Sequence, residues 1–156
     1  MISSMKPNFK ILLFLLFLTT ACKDREPKNL ELKPLSPVTY EFTSGASTNR
    51  IDYFYISDGF SYQKSYYTIL EKKVQQKIKK VNLKAYNLYS AYIYQQSAIL
   101  NGKYNGGRAG LEGQSNKLFA YIRYQQNHTD IFYLIRDGNV VYNLLSQKEE
   151  HFEFDN

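Results

Sequence analysis

Apolar and polar positions alternate from Val38 to Thr43. Val38, Tyr40 and Phe42 fall on one side and Thr39, Glu41 and Thr43 on the other, which predicts a half-buried strand. Ser44 to Asn49 is polar and reads as a loop. Arg50 to Ser57 predicts a second strand, with Ile51, Tyr53 and Tyr55 facing one way and Asp52, Phe54 and Ile56 the other, before Asp58-Gly59 breaks the run. The period then changes. Tyr62, Tyr66, Leu70, Val74, Ile78 and Val81 recur every three to four residues, which predicts an amphipathic helix of about five or six turns, with Ser61 as N-cap and Asn82 as the stop.

Leu88 to Gln96 fits helix or strand by pattern, and its Tyr and Ile content favours strand. Residues 101–116 hold five glycines and predict a loop. Further on, Asp137-Gly138 is a two-residue hairpin signal that pairs Arg136 with Asn139. Continued without irregularity, that register pairs Ile135 with Val140, Tyr133 with Tyr142 and Ile131 with Leu144. A four-residue loop over 126–129 would bring Leu118, Ala120, Ile122 and Tyr124 to the same face. Phe119, Tyr121, Phe132, Leu134, Val141 and Leu145 then form the reverse face, too apolar for solvent alone. The expected fold class is α+β, with one long amphipathic helix packed on a mostly antiparallel sheet of about five to six strands.

The chain starts differently. Lys6 and Lys10 precede the unbroken apolar run Ile11 to Leu18, and Thr19-Thr20-Ala21 is small, which is the layout of an export signal beginning at Met1 or Met5. Eight apolar residues fall far short of the ~20 that span a bilayer. Leu18-Thr19-Thr20-Ala21-Cys22 resembles the lipobox of bacterial lipoproteins. Thr19 stands where that family usually has Leu, with Leu18 one place earlier, and plain cleavage after Ala21 is the alternative. The resemblance implies that Cys22, the single cysteine of the chain, becomes the lipidated first residue and anchors the protein to a membrane. Lys23 in place of an aspartate implies the outer membrane, facing the periplasm, over the inner. The expected organisation is a signal at 1–21, a lipidated cysteine and Pro-punctuated tether at 22–37, and a single small domain at 38–156. The fifteen tether residues after Cys22 reach roughly 50 Å when extended.

Composition narrows the chemistry. Of 156 residues, two are histidine and one is cysteine, so neither a disulfide framework nor a Cys-cluster zinc site fits, and no HxH or HExxH spacing occurs. Neither a metal nor a cofactor is expected. His151 lies in an acidic C-terminal tail with Glu149, Glu150 and Glu153, and no GxSxG motif is present. A carboxylate pair for acid–base work would have to come from Glu41, Asp52, Asp58 and Glu112, which are scattered. Residues 61–84 carry seven lysines against Glu71 alone. An exported protein seldom meets nucleic acid, so an anionic lipid or an acidic protein is the expected counterpart of this helix.

Fifteen tyrosines exceed what one small core is expected to bury with every hydroxyl satisfied, which favours a binding surface. These readings converge on a lipid-anchored envelope binding protein, not an enzyme. Lys72, Lys79 and Lys80 of the helix, Tyr104 and Arg108 of the glycine loop, and Phe119 and Tyr121 of the sheet are the expected partner contacts. In size and anchor the chain resembles immunity lipoproteins and other inhibitor lipoproteins that engage a protein partner. A structural accessory subunit of an envelope assembly is the alternative, and an envelope hydrolase the least favoured.

Overall fold

A computed structural model describes residues 30–57, 60–126 and 128–155, with backbone alone at 36–38. Seven strands form one sheet in sequence order: β1 (Leu32–Ser44), β2 (Ser47–Ile56), β3 (Leu88–Gln95), β4 (Leu118–Gln125), β5 (His128–Arg136), β6 (Asn139–Asn143) and β7 (Lys148–Glu153). The long helix, α1, is Lys64–Ile78, and a six-residue helix, α2, is Gly107–Glu112. Every neighbouring pair is antiparallel except β2 and β3, which run parallel from Asn49↔Leu88 to Ile56↔Gln95. A parallel pair needs a crossover connection. Residues 57–87 supply it and carry α1 across one face of the sheet.

This corrects the expected α+β architecture of a long helix on five or six strands: the fold is sheet-rich, with α1 only 15 residues long. The periodic stripe held for Leu70, Val74 and Ile78, which are buried against the sheet. Its ends did not. Tyr62 precedes the helix, because its hydroxyl donates to the Ile135 carbonyl and its ring lies 4.0 Å beneath the Arg136 guanidinium. Gln63, not Ser61, takes the N-cap place, without a side-chain cap.

Three other expectations change. Leu30, Leu32 and Leu35 are buried, and β1 begins at Leu32, so residues 32–37 belong to the sheet rather than to a tether. Leu32 and Leu35, three residues apart, face opposite sides of the sheet, and the chain bulges between Pro34 and Thr39. The glycine-rich stretch is not all loop, since α2 and a 3₁₀ turn at Ser115–Lys117 lie within it. The acidic C-terminal segment is strand β7 rather than a tail.

The expected hairpin register holds next to the turn and fails beyond it. Asp137 and Gly138 both have positive φ, the geometry a two-residue turn demands, and Arg136↔Asn139 and Ile135↔Val140 pair as expected. A bulge then shifts the partner of Tyr142 from Tyr133 to Leu134. On the other side Gln125 pairs with His128 instead of Asp130, so Ile122 faces Phe132. A further bulge between β3 and β4 separates Leu118 from Ala120 and leaves Phe119 on the α1 side. Each one-residue slip exchanges the faces.

Both faces carry a core. On the α1 side Leu70, Val74 and Ile78 cover Phe54, Ile56, Ile93, Phe119, Ile122, Phe132 and Leu134. On the other side Leu100, Tyr104 and Leu111, from the β3–β4 connection, cover Tyr53, Tyr55, Tyr94, Leu118, Ile135 and Val140.

One buried carboxylate ties the first three strands together. Asp52, 5% exposed, accepts hydrogen bonds from Thr39 Oγ1 at 3.0 Å, Arg50 Nε at 3.0 Å and Tyr89 Oη at 3.1 Å. Arg50 also reaches Glu41 at 3.1 Å, and Tyr86 donates to the same carboxylate at 2.8 Å. Burial opposes the charge of Arg50, yet its bonds to Tyr86 and Asp52 hold its pKa above the ordinary arginine value. Replacing Asp52 with Ala leaves the guanidinium and two hydroxyls without their shared acceptor. The expected loss is about 3 kcal/mol, read as a lower urea midpoint with an unchanged m-value. A loss below about 0.5 kcal/mol would mean that this cluster does not hold the strands.

Candidate functional site

Tyrosines of β2, β3, β4 and β5 meet across the sheet. Tyr53 is opposite Tyr92, Tyr92 opposite Tyr121, and Tyr121 opposite Tyr133, so four adjacent strands place one tyrosine each in a single cross-strand row. Tyr53 and Tyr92 stack with centroids 5.4 Å apart, and Tyr92 and Tyr121 meet at 4.8 Å. Phe154 and Phe152 extend the row, at 5.1 Å from Tyr121 and 5.5 Å from Tyr133. Aromatic pairs at these spacings add stability beyond the area they bury.

The β3–β4 connection covers half of this row. Tyr104 is held there by glycines: its hydroxyl donates to the Gly107 carbonyl at 2.7 Å, and a Cβ on Gly110 would lie 2.5 Å from that oxygen. Gly110 is thus used for the close approach of the Tyr104 hydroxyl. Arg108 and Glu112 stand at the edge of the cover, where a pocket of ≈ 140 Å³ opens between them and Tyr53, Tyr92 and Tyr94. Arg108 also lies over Tyr40, 5.6 Å from its ring centre.

The remaining half of the face is open. Ile51, Tyr92, Ile131 and Tyr133 are half-buried there. Arg123 grips Asp130 through Nη2 at 2.7 Å and Nε at 3.0 Å, and Asn143 donates to Glu150 at 2.9 Å. Ser90 bonds the Tyr121 hydroxyl at 3.2 Å. Burial pushes the Tyr92, Tyr53 and Tyr133 hydroxyls up, reinforced at Tyr92 by Tyr121 and at Tyr133 by Glu150. Those three hydroxyls are therefore neutral and able to donate throughout the physiological range. Rigid rings with polar tips beside a half-exposed Arg–Asp pair suit recognition of a protein surface.

The expected contact residues divide among three places. Lys72, Lys79 and Lys80 are exposed on or just after α1, on the face opposite the tyrosines. Arg108 and Tyr121 lie on the tyrosine face, although Tyr121 is only 9% exposed. Phe119 is core, 4.7 Å from Phe60, and Tyr104 is buried beneath its own loop, so neither is available to a partner. Tyr53, Tyr92, Tyr133 and Arg123 were missed, although β2 and β3 showed tyrosines at alternate positions.

The expectation that fifteen tyrosines overfill the core is also corrected. Tyr40 alone among them is exposed, and no buried side-chain polar atom lacks a partner among the described residues. Two cores accommodate what one would not.

Of the scattered acids, Glu41 and Asp52 both bind Arg50. Glu112 borders the tyrosine pocket, and Asp58 lies outside the described residues, as does Cys22. His128 and His151 are exposed, and no group of three metal-ligating side chains converges among the described residues. A wider cleft of ≈ 840 Å³ opens at the carboxyl ends of β2 and β3, lined by Ser57, Gln95, Gln96, Asn101 and Lys103 among others, with no carboxylate or imidazole in its described lining. Compared with protein families, characterised proteins and solved structures, the chain shows no match.

Two measurements probe this face. Gly110→Ala forces Tyr104 from its seat, with an expected cost of about 1–3 kcal/mol that a Tyr104→Phe partner substitution relieves in part, because the clash is with the hydroxyl and the nearest ring carbon lies 3.6 Å from the added Cβ. Unchanged stability in Gly110→Ala would show that the loop gives way freely. In alkali, tyrosines of an unfolded chain ionise near pH 10. Burial holds Tyr62 up to about 12. Folded pKa values above unfolded ones contribute stability that is complete below about pH 10 and lost as the pH rises towards 12. Phenolate absorbance from the buried rings should therefore rise together with the loss of sheet circular dichroism. Ionisation of most hydroxyls with the sheet intact would contradict this.

Proposed function

We propose that the chain is a lipid-anchored binding protein of the bacterial cell envelope, without catalysis, which engages one protein partner through the open half of its tyrosine face. The observation that carries this reading is the cross-strand row Tyr53–Tyr92–Tyr121–Tyr133, covered at one end and half-exposed at the other. Tyrosine and arginine are enriched among the residues that carry interface energy, tyrosine because it brings large contact area at a small entropic cost and arginine because it forms several directed hydrogen bonds. The Cys22 anchor, outer-membrane placement and periplasmic orientation rest on the resemblance of residues 18–22 to a lipobox. An inhibitor of the immunity type fits this layout: a small, rigid, tethered domain with one recognition face.

A second reading, an accessory subunit of an envelope assembly, draws on the outer edge of β1. Tyr40 and Phe42 are 45% and 37% exposed there, and the strand pairs on one side only among the described residues. Long open edges are templates for strand addition.

A photo-crosslinking residue placed at Tyr133, at Phe42 or at Glu71 in living cells separates these readings. One dominant adduct near one-to-one stoichiometry from position 133, absent from 71, is expected. Tyr92→Ala should then weaken binding about tenfold or more, while leaving the circular dichroism spectrum intact. Adducts from position 42 alone would favour the assembly subunit. Identical adducts from all three positions would sink the binding-face reading.

A further inference from the structure

The lysines of α1 gather at its carboxyl end, against the strand where the described chain begins. Lys73, Lys77, Lys79 and Lys80 line one side of a groove of ≈ 500 Å³, and Glu31 and Leu32 line the other. Among the described residues no ion pair involves any of these four lysines, and Glu31, the acid in the wall, is bonded to Lys33 at 3.2 Å. The acids of β7 lie on the strand farthest from β1 in the sheet order and do not neutralise this groove. A helix carboxyl end favours one or two cations. Four within eight residues exceed that need.

We infer that this lysine groove is a docking surface for the anionic phospholipid headgroups of the membrane that carries the anchor, so that the domain rests with its α1 side on the lipid. The inference rests on the lipid-anchor reading and adds to it a face and an orientation. Chain length makes it specific. Leu30 is already in the core, 2% exposed, and Glu31 is in the groove wall. Between Cys22 and Leu30 the chain spans at most about 30 Å, less than the roughly 35 Å breadth of a domain this size. The entry side, and the lysines beside it, are therefore confined near the headgroups. Each lysine at an anionic surface multiplies binding by about five. The tyrosine face, on the opposite side of the sheet, then points away from the membrane.

The test uses the full chain made in bacterial membranes and reconstituted in vesicles of phosphatidylcholine, alone or mixed with phosphatidylglycerol. The mass of the N-terminal peptide reports lipid on Cys22, and a water-soluble amine-acylating reagent reports docking. Lys73, Lys77, Lys79 and Lys80 should label several-fold more slowly on the anionic vesicles than on the neutral ones. High salt should abolish that difference, and Lys103 and Lys117 in the β3–β4 connection should not show it. The triple variant Lys73→Glu, Lys77→Glu, Lys80→Glu should lose protection at Lys79 while keeping its circular dichroism spectrum. Equal labelling on both vesicles with Cys22 lipidated overturns the docking surface and leaves the anchor standing. If Cys22 carries no lipid, the anchor reading fails alone. Salt-sensitive co-sedimentation of that unlipidated chain with anionic vesicles, lost in the triple variant, would still support the surface, and its absence would overturn it. Protection by added polyglutamate but not by anionic vesicles also overturns it, in favour of an acidic protein.

Discussion

The parallel pairing of β2 with β3 governs the rest of the molecule. Antiparallel neighbours can be joined by a turn of two residues, as β5 and β6 are, but a parallel neighbour requires the chain to return to the starting end of the sheet. Residues 57–87 make that return, and their only route is across a face. That commits α1 to one side, where Leu70, Val74 and Ile78 complete a core. The opposite side receives only the shorter β3–β4 connection, which covers half of it. The half-open tyrosine face is thus a consequence of one strand direction. Asp52 secures that arrangement from within, by joining Thr39 of β1, Arg50 of β2 and Tyr89 of β3 at a single carboxylate.

The two faces differ in chemistry as well as in cover. The α1 side ends in unneutralised lysines beside the point where the described chain begins, whereas the other side presents neutral rings, an Arg123–Asp130 pair and a pocket bounded by Arg108 and Glu112. Long-range charge suits a broad anionic surface, and rigid amphipathic rings suit a shaped one. Placing them back to back means that the proposed membrane contact and the proposed recognition face do not compete for the same surface. The glycines of residues 101–116 belong to this division too. Gly110 admits the Tyr104 hydroxyl, and the Tyr104 side chain packs with Tyr55 and Tyr94 in the core beneath the connection.

Local chemistry made several elements legible in the sequence. Period-2 runs marked β2 and the strands β4 to β6, Tyr and Ile content marked β3, the Leu70–Val74–Ile78 stripe marked the buried face of α1, and Asp137-Gly138 fixed its turn and the two pairs beside it. These signals are properties of neighbouring residues, so they survive without knowledge of the rest of the chain. Register did not survive in the same way. The bulges at Phe119, between Leu134 and Ile135, and between Arg123 and Tyr124 each insert one residue, and one residue exchanges the faces. Phe119 and Tyr121, alike in sequence, end on opposite sides for that reason.

What the sequence determined by itself, then, was the kind of element, the excess of lysine around α1 and the supply of tyrosine to every central strand. Tertiary structure decided which of those residues share a surface. Leu32 became core because β2 offered it a partner strand, and Leu30 and Leu35 on either side of that pairing are buried with it, although prolines around them read as tether. Four tyrosines became a row because β2 to β5 lie side by side in register, and the tail around His151 became β7 because β6 presented an open edge. Backbone pairing between distant segments is chosen by the free energy of the whole sheet, and no local pattern encodes it.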